Sequence, residues 1–158
     1  MKLTPGQVRE ILGLSQETFR HWKSKLPPLT NRNGHRPCFT HGDQFAIAVI
    51  QMLATQAGVQ VSALAPVAEK LFNVCDMQPW AAIERLSLVV EPAEEHIAFV
   101  AEQESPKHSG LAIIIACGPL IAKLRKALLM DQEEVSQETL KFPPTVVARK
   151  QRSLGGSA

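Results

Sequence analysis

Arg20, His21 and Lys23 sit within four consecutive positions, and Arg32 and Arg36 flank an Asn33-Gly34 pair a few residues later. Guanidinium and ammonium groups gathered in this way suit a polyanion: they neutralise phosphates, and an arginine or glutamine among them can hydrogen-bond a base edge. Gln16 stands in the same stretch. His35, Cys38 and His41, at spacings of three and three, are each competent zinc ligands. No fourth ligand lies nearby, however, and a His-rich loop accounts for the triplet, so no metal is expected. Cys117, just ahead of Gly118-Pro119, has the position of a thiolate activated at a helix N-terminus. Its neighbours Ile113, Ile114, Ile115 and Leu120 predict instead a buried, inert thiol, and Cys75 reads as a filler at a helix end. The sequence contains no Walker loop, GxSxG, HExxH or dinucleotide pattern, and no carboxylate pair has a spacing that implies acid–base work. His96 and His108 read as surface residues. No catalytic residue and no cofactor are expected, and the chain does not read as an enzyme.

The elements that position these residues must come from 158 residues, 45% hydrophobic and 20% charged, enough for one compact body or two small modules. Gln44 to Ala68 is uncharged over 25 residues. Glutamines at 44, 51, 56 and 60, with Gly58 and Pro66, make it a pair of buried-face helices rather than a membrane span. Three cysteines, an odd number, argue against disulfides and for a reducing compartment, and no export signal opens the chain, so the expectation is cytoplasmic. The net charge of +2 conceals an asymmetry. Residues 1–41 carry seven basic side chains against two acidic, a net of +5, whereas the residues from 78 onward are close to neutral.

The basic stretch reads as two short helices. Thr4 caps the first, Pro5 suits its first position, and Val8, Ile11 and Leu12 form its buried face before Gly13 ends it. Ser15 caps a second, Gln16 to about Lys25, with Phe19 and Trp22 inward and Gln16, Glu17, Arg20, His21, Lys23 and Ser24 outward. Two helices joined by a short Gly-containing turn have the proportions of a helix-turn-helix. Asn33-Gly34 is a hairpin signal and predicts a small two-stranded wing over 30–39 carrying Arg32 and Arg36. Asp43 then caps an apolar helix to about Thr55, with Phe45, Val49, Met52 and Leu53 on its stripe; a further helix, bent or started at Pro66, buries Val61, Leu64, Val67, Ala68, Leu71 and Phe72.

Taken together, LTPGQVREILGLSQETFRHW, then NGHRPCF, then an apolar helix resemble the winged-helix DNA-binding domain of MerR-type transcription regulators. The resemblance covers residues 3 to about 72. The family's recognition-helix core, Thr-Leu-Arg-Tyr-Trp/Tyr, is matched by Thr18-Phe19-Arg20-His21-Trp22, and its Gly-Tyr-Arg wing core by Gly34-His35-Arg36. His21 and His35 stand where that family has tyrosines, and this chain has no tyrosine at all. The resemblance implies double-stranded DNA as partner, with Arg20 and His21 contacting it from the second helix and Arg36 from the wing. Added to the outward polar residues, this makes the expected DNA-binding set Gln16, Thr18, Arg20, His21, Lys23, Arg32 and Arg36.

The rest of the chain departs from the long dimerisation helix typical of that family. After a short segment at Trp80, residues 85–91 and 96–102 read as strands joined by a turn at Glu91-Pro92-Ala93-Glu94; Leu111 to Ala116 reads as a central strand. A helix from Gly118-Pro119 has Leu120, Leu124, Ala127 and Leu128 on one face and Lys123, Arg125 and Lys126 outside; beyond about Met130 the chain turns polar. The expected fold is α+β: a MerR-like winged helix-turn-helix at 1–76, a small antiparallel sheet with a C-terminal helix at 77–130 for dimerisation or partner binding, and a polar flexible tail at 131–158. The expected function is a sequence-specific transcriptional regulator binding as a homodimer, with a contact through the apolar strand and the helix after Gly118. The alternatives are a phage-type DNA-marking protein of the small terminase or excisionase kind, and a protein-interaction module on a helix-turn-helix scaffold.

Overall fold

Thr4 and Gln7 cap each other's backbone at the start of α1 (Pro5–Leu12): Gln7 N–H donates to the Thr4 hydroxyl at 3.2 Å, and Thr4 N–H donates to the Gln7 side chain at 3.0 Å. The structure, a computed structural model, describes residues 1–32, 34–101, 103–104 and 110–140, and of 134–140 the backbone only. Gly13 ends α1 with φ of 64°, a left-handed conformation that any Cβ would strain. Ser15 caps α2 (Gln16–Lys25), accepting from Thr18 N–H at 3.0 Å, and Phe19 and Trp22 are buried as their spacing predicts.

The two-stranded wing expected over 30–39 is not found among the described residues. Pro27–Thr30 forms a short helix, α3, residues 34–36 form a bend, and the pairing present is a single antiparallel bridge between Leu3 and Phe39. The cause lies at Arg32. Its N–H continues the helical turn to Leu29 O at 3.1 Å, and its side chain turns inward to Asp43, so the chain cannot extend there. Asn33, half of the hairpin signal, lies outside the described residues.

The next helix, α4 (His41–Thr55), begins two residues before the expected Asp43 cap. Thr40 is the cap, and Asp43 sits three residues into a reciprocal box, with Asp43 N–H donating to the Thr40 hydroxyl at 3.0 Å and Thr40 N–H to the Asp43 carboxylate at 2.9 Å. This helix is buried continuously from Gly42 to Ile50, not on one stripe alone, while Met52 is only half-buried. The reason is that α5 (Ala65–Asp76), led in by a 3₁₀ turn at Val61–Leu64, packs along one side of it, and α7 (Cys117–Leu140) along another. At Gly42 the α4 and α5 backbones nearly touch: a Cβ there would lie 2.6 Å from Asp76 Cα.

After a turn of helix, α6 (Trp80–Ile83), three antiparallel strands follow: β1 (Leu86–Glu91), β2 (His96–Ala101) and β3 (Ile113–Ala116), in the order β2-β1-β3. Leu88 pairs with Phe99 and Ile115, and Val90 with Ile97 and Ile113, so these six side chains share the face that meets the helices. Phe99 reaches Phe45 of α4 at a ring separation of 6.5 Å. The apolar run Leu111–Ala116 predicts a central strand, but β1 is central and β3 is an edge. Uniform apolarity does not separate the two cases, because Ile115 faces the core while Ile114 is 53% exposed on the other side.

Helix α7 continues ten residues past the polar change near Met130. Residues 131–140 contain neither Gly nor Pro and are mostly residues that tolerate helix well. Residues 141–158, the remainder of the expected tail, lie outside the described residues, as do Glu102 and His108. The architecture is therefore α+β, with helices against one small antiparallel sheet. One contiguous apolar core runs from Leu3 to Leu124 and crosses the expected 76/77 boundary without a break. Among the described residues no helix is long and apolar enough to cross a membrane.

Candidate nucleic-acid interface

Helix α2 buries Phe19 and Trp22 and leaves Gln16, Glu17, Arg20, His21 and Ser24 exposed, a continuous stripe at helical spacing. Of the other residues expected on this face, Thr18 is half-buried, and its hydroxyl accepts from Ser15 Oγ at 2.8 Å, so it serves the cap. Lys23 is half-buried, and its carbonyl accepts from the Thr30 hydroxyl at 2.8 Å. Lys25, absent from the expected set, is exposed at the end of the same helix; its signal was the basic last turn it shares with Lys23.

The two wing arginines separate. Arg32 makes a two-pronged salt bridge to the buried Asp43 carboxylate, its Nη1 to Oδ2 and its Nη2 to Oδ1 at 3.1 Å. Its guanidinium also lies over the Phe39 and Phe72 rings, at 5.2 and 5.8 Å from their centroids. This is a structural position. Arg36 is exposed in the loop beside His35 and Pro37. The ion pairs among the described residues are Arg32–Asp43 and Arg125–Glu84, so no described carboxylate pairs with Arg20 or Arg36.

The loop carrying His35 and Arg36 is fastened to α2 at both of its ends. Before it, the Thr30 hydroxyl bonds to the Lys23 and Leu26 carbonyls. After it, Phe39 packs edge-on against Phe19 at 6.1 Å, and the Phe39 backbone exchanges hydrogen bonds with Leu3 at 2.7 and 3.1 Å. The two ends of the basic loop are thus anchored beside α2.

No family model, curated protein or solved structure matches this chain. The chemistry open to the site therefore follows from its own geometry. His35, Cys38 and His41 are not drawn together: among the described residues no group of three or more His, Cys, Asp or Glu is placed to hold a metal. His41 instead stacks on Trp80 at 5.1 Å, and burial, then the nearby N-terminal ammonium, lower its pKa from the usual 6.5. Cys75 and Cys117 are both buried. Burial above all, then Cys117, Asp43 and Asp76, push the Cys75 thiol well above its ordinary range, so it remains protonated.

Proposed function

We propose that this chain is a sequence-specific DNA-binding transcriptional regulator that acts through a MerR-like helix-turn-helix, with α2 as the recognition helix and the Arg36 loop standing where that family has a two-stranded wing. The observation that carries the reading is the double fastening of the Arg36 loop to α2, since it joins an exposed Gln16, Arg20 and His21 stripe to a second cationic contact. In this reading Arg20 and Gln16 reach base edges in the major groove, while His21, Arg36 and Lys25 grip phosphate on either side. Arg32 takes no part; it supports the loop from below by its bond to Asp43.

One recognition helix reads only a few base pairs, so the protein works as a homodimer on a two-fold site. The second half supplies the contact, an expectation supported by the exposed Leu111 and Ile114 beside the open edge of β3. The test is selection of bound duplexes from a random pool. A recovered palindrome, half-sites about one helical turn apart, and a dimer in sedimentation are expected. Recovery of no consensus, or a monomer bound to the recovered site, would contradict the reading. Arg20→Ala is expected to weaken the selected site by about 1–3 kcal/mol while leaving the affinity for unrelated DNA unchanged.

A further inference from the structure

On the opposite end of α4 from the Gln56 cap, a groove of about 830 Å³ opens between the first turn of α4, the segment from Asp76 to Trp80, and the outer side of α7, with Met1 and Lys2 along its lip. This volume lies within the roughly 300–1,000 Å³ typical of small-molecule sites. Its apolar walls are left in water: Met1 and Met77 are each 80% exposed and Leu129 62%, over a floor made by the buried Trp80. Single exposed apolar side chains need no explanation, but three of them around one concavity leave a hydrophobic surface uncovered.

The polar groups of the groove divide by charge. The Asp76 carboxylate accepts from the Thr40 hydroxyl at 2.7 Å and keeps its charge, and the Trp80 indole N–H donates to His41 O at 3.0 Å. Lys2 has no hydrogen bond or ion pair among the described residues. Arg125 uses Nη1 alone, on Glu84 at 2.7 Å, and remains 48% exposed with donors to spare. Lys2 and Arg125 outnumber the one lining carboxylate, Asp76, so the charged side chains of the groove are cationic by one, and Gln78 and Gln132 add neutral amides. The complement of such a groove is an anion with an apolar body. A second copy of the chain is a poor occupant, because a two-fold contact would set one concavity against another and bring Lys2 and Arg125 towards their own like charges.

We propose that this groove binds a small amphipathic carboxylate, its head group held by Lys2 and Arg125 and its hydrocarbon lying over Trp80, Met77 and Leu129. The site is independent of the DNA-binding surface and of the reading given to it.

Calorimetric titration of the full chain with sodium decanoate below its micellar concentration tests this, with decanol and decyltrimethylammonium as comparators. Saturable binding at one site per chain is expected for decanoate, with weaker binding of decanol and none of the cation. Lys2→Gln is expected to weaken decanoate about tenfold or more and to leave decanol unchanged, because it removes one charge-assisted bond and no apolar surface. Leu129→Gln is expected to weaken both. Circular dichroism confirms that each variant is folded. The proposal is overturned by the absence of saturable decanoate binding, by equal affinity for all three amphiphiles, or by a Lys2→Gln variant that binds decanoate as the parent does. It is equally overturned if these substitutions instead convert a dimer to a monomer with no effect on decanoate.

Discussion

Arg32 and Arg36 lie four positions apart in one loop, yet the surroundings give them unrelated tasks. Asp43 is 4% exposed, and a carboxylate so far from water needs a partner cation. Arg32 supplies it with geometry that lysine cannot reproduce, two parallel N–H donors and a planar face on two phenylalanines. Arg32→Ala should therefore cost about 2–3 kcal/mol in urea unfolding, below the range of roughly 3–5 kcal/mol for a fully buried pair because Arg32 itself is 27% exposed. Arg36→Ala, on the surface, should stay within about 0.5 kcal/mol and act on DNA affinity alone. Equal stability of the two variants would refute the division. His41 adds a pH dependence. Its folded pKa is below the unfolded 6.5, so between the two values the unfolded chain binds more protons and stability rises with pH. The contribution is fully present above 6.5 and is lost as pH falls through the folded value. Thermal melts between pH 5 and 7.5 should show a shallower acid-side fall for His41→Gln than for the parent; identical slopes would show that His41 has no part in it. Sequence spacing identified the exposed stripe of α2, because Phe19 and Trp22 mark its opposite face. It could not show Arg32 turning inward, since the partner lies eleven positions away and an arginine beside Asn-Gly has the same local pattern whether it faces water or a buried carboxylate.

Among the elements, those with a strong local stop and start were legible from residues alone. Thr4-Pro5, Gly13 and Ser15 set the ends of α1 and α2 because each solves a backbone problem within three residues of itself. The wing and the place of β3 were not legible, because both are decided by distant contacts: the Arg32–Asp43 pair in one case and the pairing of β1 with both neighbours in the other. Burial of Gln44 and Asp43 in the first turns of α4 was equally hidden, since polar residues in an amphipathic pattern are read as the water side. The contact of α4 with α5 allows a test at this scale. Gly42→Ala should destabilise the fold by about 1–3 kcal/mol, because the new methyl meets backbone atoms of Cys75 and Asp76 that cannot rotate away. An unchanged unfolding midpoint would mean that the two helices are not in the close contact described.

For the whole molecule, charge and packing divide the chain differently. The first 41 residues carry a net of +5, and yet their helix α1 packs against α7 in a core shared by both halves. A basic front is built on a scaffold that extends through the sheet to α7, and α2 is joined to that scaffold by its buried Phe19 and Trp22. Such a surface should hold DNA largely through phosphates, and phosphate contacts release counterions. The most direct test is the affinity for a selected duplex measured across about 50–200 mM salt, for the parent and for Arg36→Ala. The logarithm of the association constant should fall linearly with the logarithm of salt concentration, and Arg36→Ala should reduce the slope by about one. Absence of salt-sensitive binding at any duplex sequence would contradict the central claim.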